Sequence, residues 1–343
     1  MKVTPTALLV ADIGGTHARF ALAAPGDGVR PVLGSIREFE VAQFRSLPDA
    51  ITNYLEFLQH TGASRPTQLA LGVASAVTGE QIELTNHSWS FSLAQLRRDF
   101  GFEKVEAIND CAAMALSIPH LQGFELEAIG STVAQLAAPK SDRRTAAIGV
   151  GTGLGVCGLM LRDGCADVVE SEAGHINFAP GSEAEADILR LLWSRHPRVS
   201  AERLLSGAGL QNLYSAVCAI AHSHSPAAMD SPRAIIASAE SGADAECRRA
   251  VELFCAILGS FAGDVALIYG AWDGIYLGGS IPLALLAWIQ RGSFRERFED
   301  KGRFGERMRA VPTLAILHPQ PGLLGAGAWA LMRRDRLQNR SAR

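Results

Sequence analysis

From Leu8 the chain reads "LLVADIGGTHARFALAAPG". A short apolar run, interrupted by Asp12, stops at Gly14-Gly15-Thr16 and resumes as the alternating "ARFAL". Period-two alternation on either side of a glycine turn predicts strand, tight turn, strand. A turn at "APGDG" and a third strand near "GSIREFEV" follow, then a helix from about Ser46 to His60. The run "QLALGVASA" predicts a buried strand, and "TGEQIELTNHSW" a hairpin and loop. Ser92 and Gln95 make a capping box that opens a helix over "SLAQLRRDF". The strand "KVEAI" then runs into "NDCAAMALS", which has the composition of a helix.

The opening pattern recurs about 140 residues later. "TAAIGVGTGLGVCGLMLRDG", from Thr145 to Gly164, again gives an apolar strand, a Gly/Thr turn, a second apolar strand and a turn. Two copies of one unit predict two similar halves facing one another. A loop-rich stretch, "ESEAGHINFAPGSE", comes next, and mainly helices continue through Tyr269. A strand "GIYLGGS", helices to about Arg309, a strand "PTLAIL" and a last helix from about Leu323 complete the pattern. Strands alternating with helices predict an α/β protein with mixed sheets.

Composition narrows the classes. The 343 residues exceed the usual size of one domain, and 48% hydrophobic with 20% charged residues excludes a disordered chain. A net charge of −3 supplies no general attraction to nucleic acid or an anionic membrane. The basic end "MRRDRLQNRSAR" reads as a frayed tail. Cys111, Cys157, Cys165, Cys218, Cys247 and Cys255 show no C-x-x-C pairing, which suits buried free thiols in a reducing cytoplasm. The N-terminal apolar run is too short for a signal peptide, and no uninterrupted apolar stretch reaches the ~18 residues of a spanning helix. A soluble, cytoplasmic protein is expected.

The two Gly/Thr turns are the first candidates for chemistry. Successive backbone N–H groups form a concave nest that accepts phosphate oxygens without a side-chain cation. Thr16 and Thr152 add hydroxyl donors. Asp12 repels a phosphate but suits a hydrated Mg²⁺ that bridges to one. Each turn alone reads equally as a plain hairpin; their recurrence favours phosphate. Gly153 to Gly158 matches G-x-G-x-x-G literally, yet "GVCGLML" is a strand sequence where a dinucleotide fingerprint must open a helix. No G-x-x-x-x-G-K-[ST] occurs.

Asn109-Asp110 stands where a strand gives way to a helix. An acid there is either a proton acceptor kept ionised by the helix N-terminus or simply an N-cap. Glu172 and His175, three apart in a Gly-containing loop, suit one small polar ligand, with a metal as the other reading. Glu202, behind Ser200 near a helix start, is either a hydroxyl ligand or an acid favoured by the helix dipole. "HSH" at residues 222–224 reads as a polar loop. Gly278-Gly279 lets a flat ring and ribose approach the backbone, or marks tight strand–helix packing.

Taken together, Asp-Ile-Gly-Gly-Thr, Ile-Asn-Asp, Gly-Thr-Gly-Leu-Gly, Glu-x-x-His, Ser-Ala-Glu-Arg and Leu-Gly-Gly resemble the bacterial ATP-dependent glucokinases of the proteobacterial type. "TNHSWSFS", "RLLSGAGLQNLY", "FEDKGRF" and "PGLLGAGA" are similar to that family too, so the match runs from about Leu8 to Met332. The resemblance implies a two-domain sugar-kinase/actin-like (ribonuclease H-like) fold with mixed sheets and an interdomain cleft. The smaller domain would be residues 1–118 plus a C-terminal helix at about 320–335, the larger 119–319, with 336–343 a disordered tail. A homodimer is implied as well. So is phosphoryl transfer from ATP to the 6-hydroxyl of glucose, with Mg²⁺.

By the same resemblance Asp110 is the general base and Asn109 a sugar ligand beside it, while Glu172, His175 and Glu202 hold sugar hydroxyls. Ala11, Asp12, Ile13, Gly14, Gly15 and Thr16 match the first phosphate loop, Asp12 reaching the metal through water. Gly151, Thr152 and Gly153, continuing to Gly155, match the second, and Gly278-Gly279 lies at the adenosine end. Three departures stand out: Ala11 where relatives often have Gly, Ala173 where Gly-Gly is common before His175, and Ser75-Ala76 in a loop that often contains proline. The cysteine-rich zinc motif of the repressor/open-reading-frame/kinase group is missing. Rival readings are a kinase of another hexose or amino sugar, a non-catalytic sugar-binding regulator, and a hydrolase of polyphosphate or nucleotide.

Overall fold

The computed structural model describes residues 8–26, 30–85, 87–130, 142–222, 229 and 231–341, with side chains to 334. Part of the "APGDG" turn and of the "HSH" segment lies outside the described residues. The chain divides into two compact units, Met1–Gln122 with His318–Arg343, and Gly123–Leu317.

In the first unit β1 (Leu8–Ile13), β2 (His17–Pro25) and β3 (Pro31–Glu40) form an antiparallel meander. Helix α1 (Leu47–His60) opens on Ser46, whose hydroxyl accepts from Asp49 N, with Pro48 in the first turn. Strand β4 (Gln68–Val73) pairs parallel to β1. The hairpin of β5 (Gln81–Glu83) and β6 (Ser90–Ser92) leads into α2 (Leu93–Phe100), capped by Ser92 and ended by Gly101 at φ 69°. Strand β7 (Lys104–Asn109) pairs parallel to β4, and α3 (Asp110–Ser117) follows without a loop. The sheet order is β3-β2-β1-β4-β7, and α12 (Pro321–Ser341) completes the unit.

Alternation explains why β1 is almost wholly apolar. Leu9, Ala11 and Ile13 join a core with Ala50, Ile51 and Tyr54 of α1, while Leu8 and Val10 join another with Leu323 and Ala330 of α12. A strand covered on both faces needs apolar residues at every position. Asp12 is the one break, on the α12 side.

The second unit repeats the plan. Strands β9 (Arg143–Val150), β10 (Leu154–Arg162) and β11 (Cys165–Ser171) are antiparallel neighbours. Strand β12 (Ile275–Gly278) pairs parallel to β9, and β13 (Thr313–Ile316) parallel to β12. With β8 (Leu126–Ala128) at the edge, the order is β11-β10-β9-β12-β13-β8. Helices α4 (Glu183–Trp193), α5 (Gly207–Ile220), α6 (Pro232–Ser241) and α7 (Ala245–Tyr269) precede β12. The short α8 (Ser280–Ala284), α9 (Leu286–Arg291), α10 (Phe294–Glu299) and α11 (Gly305–Arg309) lie between β12 and β13. Helix α7 is long and apolar enough to cross a membrane by length and composition, yet its apolar residues from Val251 to Ala266 are mostly buried in this unit's core.

The hairpin repeat thus extends to three antiparallel strands and two parallel ones in each unit. Both sheets are mixed, as the alternation predicts. Strands β8 and β11 escape the sequence reading: "CADVVES" alternates, but its mostly exposed positions carry no apolar run. The last helix also departs from expectation, since it continues through Ser341 where a frayed tail is predicted from 336. Of the six cysteines, all free, five are buried and Cys165 is exposed.

Candidate active site

The first Gly/Thr turn closes β1 onto β2. Gly14 N–H donates to His17 O at 2.9 Å, and Thr16 O accepts from Val41 N at 2.9 Å. The first glycine's N–H is therefore spent inside the turn, and the donors a phosphate can take are those of Gly15 and the exposed Thr16. The side chains of Ala11 and Ile13 are buried in the core and support the loop, so what these two residues have to offer a ligand is backbone. The methyl of Ala11 is accommodated there without displacing a functional group.

Asp12 is half-buried opposite Arg19, with Oδ2 3.7 Å from the guanidinium. A Cβ placed on Gly322 would stand 2.7 Å from the Asp12 carboxylate, so the acid packs on the first turn of α12. Burial raises its pKa above the ordinary carboxylate value; Arg19 opposes the rise and Glu38 adds to it. One carboxylate in this setting fits an ion that arrives hydrated and already bound to phosphate. Among the described residues no cluster of three or more His, Cys, Asp or Glu could hold a metal by itself.

The second turn is built on the same lines. Gly151 N–H donates to Gly153 O at 3.0 Å, Gly151 O accepts from Gly207 N at 2.8 Å, and Thr152 is exposed. Beside it, β12 ends at Gly278, which pairs with Gly149. Gly279 has φ +95°, and a Cβ there would lie 2.3 Å from Val150 O. Only glycine satisfies both constraints. The tight-packing reading of Gly278-Gly279 is correct, and it sets this bare backbone next to the second Gly/Thr turn.

Asn109 and Asp110 occupy the β7–α3 junction. Asn109 is the N-cap: its Oδ1 accepts from Cys111 N at 2.9 Å and Ala112 N at 3.1 Å, while Nδ2 donates to Ser75 O at 3.2 Å. Asp110 is the first helical residue, half-buried, with Oδ1 accepting from Cys111 N at 2.8 Å. The capping that the sequence leaves open for Asp110 is thus carried chiefly by its neighbour. The helix dipole favours negative charge at such a first-turn position.

Glu172, His175 and Glu202 come together in the second unit. His175 Nε2 is 3.9 Å from Glu172 Oε2, and its Nδ1 is 3.9 Å from Glu202 Oε1. Glu172 and His175 are exposed and Glu202 half-buried. Backbone pairing makes the cluster: Ala201 N donates to Ile176 O at 2.9 Å and Phe178 N to Val199 O at 3.0 Å. Two carboxylates flanking an imidazole present both acceptors and a donor, as vicinal hydroxyls require.

Sequence reasoning misses the supports of this loop. A Cβ on Gly174 would fall 2.0 Å from Leu154 O, so the glycine is obligatory, whereas Ala173 packs its methyl against the core. Arg198 donates to the carbonyl of His175 and, at 2.8 Å, to Asn177 Oδ1. Glycine beside the histidine is the only sequence hint of the first contact. Nothing in the sequence marks Arg198.

The family model "Glucokinase" matches residues 9–333. A glucokinase of Stenotrophomonas maltophilia (strain R551-3) is 43% identical over 330 residues, covering 96% of each chain. The crystal structure of a glucokinase from an Antarctic psychrotroph superposes with TM-score 0.80 at 34% identity, over 94% of this chain and 98% of that one. A ROK family glucokinase from Streptomyces griseus, in complex with glucose and AMPPNP, shares the fold with TM-score 0.64 at 18% identity, over 94% and 98%. The family's length is spanned nearly end to end, and the chain belongs to the glucokinase family.

Proposed function

We propose that Asp110 is the general base in transfer of the γ-phosphoryl group of MgATP to the 6-hydroxyl of glucose. A glucokinase is an ATP-dependent hexose kinase, and the residues of both units suit the two substrates. The observation that carries the reading is the β7–α3 junction, where Asn109 caps the helix and Asp110 presents its carboxyl group in the first turn, accepting from Cys111 N.

Asp110 takes the proton of the 6-hydroxyl as that oxygen attacks the γ-phosphorus. The new O–P bond forms as the bond to the β-phosphate oxygen breaks, and ADP leaves with that electron pair. Asn109 has a second Nδ2 hydrogen for the sugar. Glu172, His175 and Glu202 are the hydroxyl partners in the second unit. The N–H and hydroxyl donors at Gly15–Thr16 and Thr152–Gly153 stabilise the charge on the transferring group, and Gly278-Gly279 takes the adenosine end. Asp12 would hold a hydrated Mg²⁺ accompanying ATP, and the ion would neutralise phosphate charge there. Two copies in a homodimer, in the cytoplasm and without nucleic acid or membrane as partner, complete the proposal.

A positioned base contributes ~10²–10⁴-fold in rate. Asp110→Asn therefore lowers kcat by at least about 10²-fold while the KM for glucose stays close to wild type. The assay is coupled ADP release, run with glucose, mannose, fructose, N-acetylglucosamine and no sugar. Near-wild-type kcat in the variant removes Asp110 from the role, and release independent of glucose removes glucose as the acceptor.

A further inference from the structure

In the second unit the phosphate turn and the sugar-side loop meet at one peptide. Leu154, the first residue after Gly151-Thr152-Gly153, is only 5% exposed. Its N–H donates to Glu202 Oε2 at 2.9 Å. Its carbonyl lies so close to Gly174 that a Cβ there would be 2.0 Å away. Glu202 Oε1, the other oxygen of the same carboxylate, is 3.9 Å from His175 Nδ1. Both flanks of the turn are tied to one short segment: Gly207 N donates to Gly151 O at 2.8 Å, and Ser206 Oγ donates to Glu202 O at 2.9 Å.

We propose that Glu202 is a positioning residue for the nucleotide phosphates, acting through Leu154 N–H, and that glucose and nucleotide bind with positive coupling through this carboxylate. The inference rests on the sugar-binding role given to Glu202 above. A sugar hydroxyl that donates to Oε1 fixes the rotation of the carboxylate. Fixing it also fixes Oε2 and hence the peptide that ends the phosphate turn. Phosphates seated on the turn hold Leu154 in the same place, so the effect is reciprocal. Because Leu154 is buried, removing the acceptor leaves its N–H without a protein partner, and the turn loses its definition.

The test is calorimetric titration of the full chain with Mg²⁺ and AMPPNP, with and without saturating glucose. In the wild type glucose tightens nucleotide binding by at least about fivefold. Glu202→Ala weakens nucleotide binding without sugar by about tenfold and abolishes the coupling. Glu202→Gln restores nucleotide binding, because its amide oxygen accepts from Leu154 N, but leaves glucose binding weak. Glu172→Ala weakens glucose binding alone. Should the alanine variant fail to fold, Glu202→Asp, one methylene shorter, gives the same comparison.

Wild-type nucleotide affinity in Glu202→Ala, with glucose binding weakened, overturns the coupling and leaves the sugar site standing. Unchanged glucose affinity in both Glu202→Ala and Glu172→Ala overturns the sugar site itself.

Discussion

Gly325→Ala tests how tightly the base-bearing helix is held. Helices α3 and α12 cross so closely that a Cβ on Gly325 would lie 1.6 Å from Ala113 O, 2.6 Å from Ala113 C and 3.0 Å from Ser117 N. A carbon–oxygen contact settles at ~3.3–3.6 Å, so the two backbones must part by about 1.7–2 Å. Overpacking costs ~1–3 kcal/mol where side chains can rearrange. Here the clash is with backbone, which has no rotamer to offer, and the cost is about 3 kcal/mol or more. At ~2–4 °C per kcal/mol, the transition of the first unit drops by about 6–12 °C in differential scanning calorimetry. The displacement also moves the start of α3, where Asp110 sits. A shift of about 1 Å at a reacting group costs up to ~10²-fold, so kcat measured below the transition falls well before glucose affinity does. Gly327→Ala is the control. Its nearest neighbours, Ala23 Cβ at 3.3 Å and Pro31 Cβ at 3.5 Å, yield easily, and the gain in helix propensity of ~1 kcal/mol offsets the contact. If Gly325→Ala matched Gly327→Ala in both transition and kcat, the close crossing would not be what holds Asp110 in place.

Three further outcomes follow from buried charges and thiols. Burial penalises the ionised form of Asp12, so Asp12→Asn keeps or raises the thermal transition at neutral pH while lowering kcat and raising the Mg²⁺ requirement; a clear loss of stability would show that the Arg19 pair outweighs burial. Arg297→Met leaves Glu185, whose side chain is 1% exposed and paired at 2.7 Å, without its counter-ion and costs about 3–5 kcal/mol in urea unfolding, much of which Glu185→Leu in the same chain recovers; equal losses in the single and double variants would refute this. Burial pushes the thiols of Cys157 and Cys255 up to about 12, so stability is full below about pH 9, where unfolded thiols begin to ionise, and declines as pH rises toward 12; a transition temperature flat from pH 8 to 11 would refute it.

The fold was legible wherever burial imposes a period. Strands β1, β4, β9 and β12 are covered on both faces, so they read as apolar runs, in β1, β9 and β12 closed by glycine. Their repetition in a Gly/Thr hairpin was enough to anticipate two related halves. The edge strands of the second unit, β8 and β11, were not legible because burial imposes no such period on them. Only Ala166 and Val168 of β11, with the final Ser171, are even partly buried, and no apolar period marks it. The end of α12 was misjudged because its polar residues carry no stop signal: neither glycine nor proline follows Leu331.

The candidate site divides differently. Residue types with chemistry to offer could be picked out one by one, because an acid at a strand–helix junction or a Glu-x-x-His loop is a local pattern. What joins them is not local. Leu154 and Glu202 are 48 residues apart, and the bond between them uses a backbone N–H that every non-proline residue possesses. Gly174 hints at a close approach but not at its partner. The same holds for Gly325 and Ala113, which come from the two separate stretches of chain that make up the first unit. Sequence therefore discloses the groups that touch substrate more readily than the backbone contacts that set their positions. Those contacts are where a substitution outside the recognisable motifs will most readily alter the chemistry.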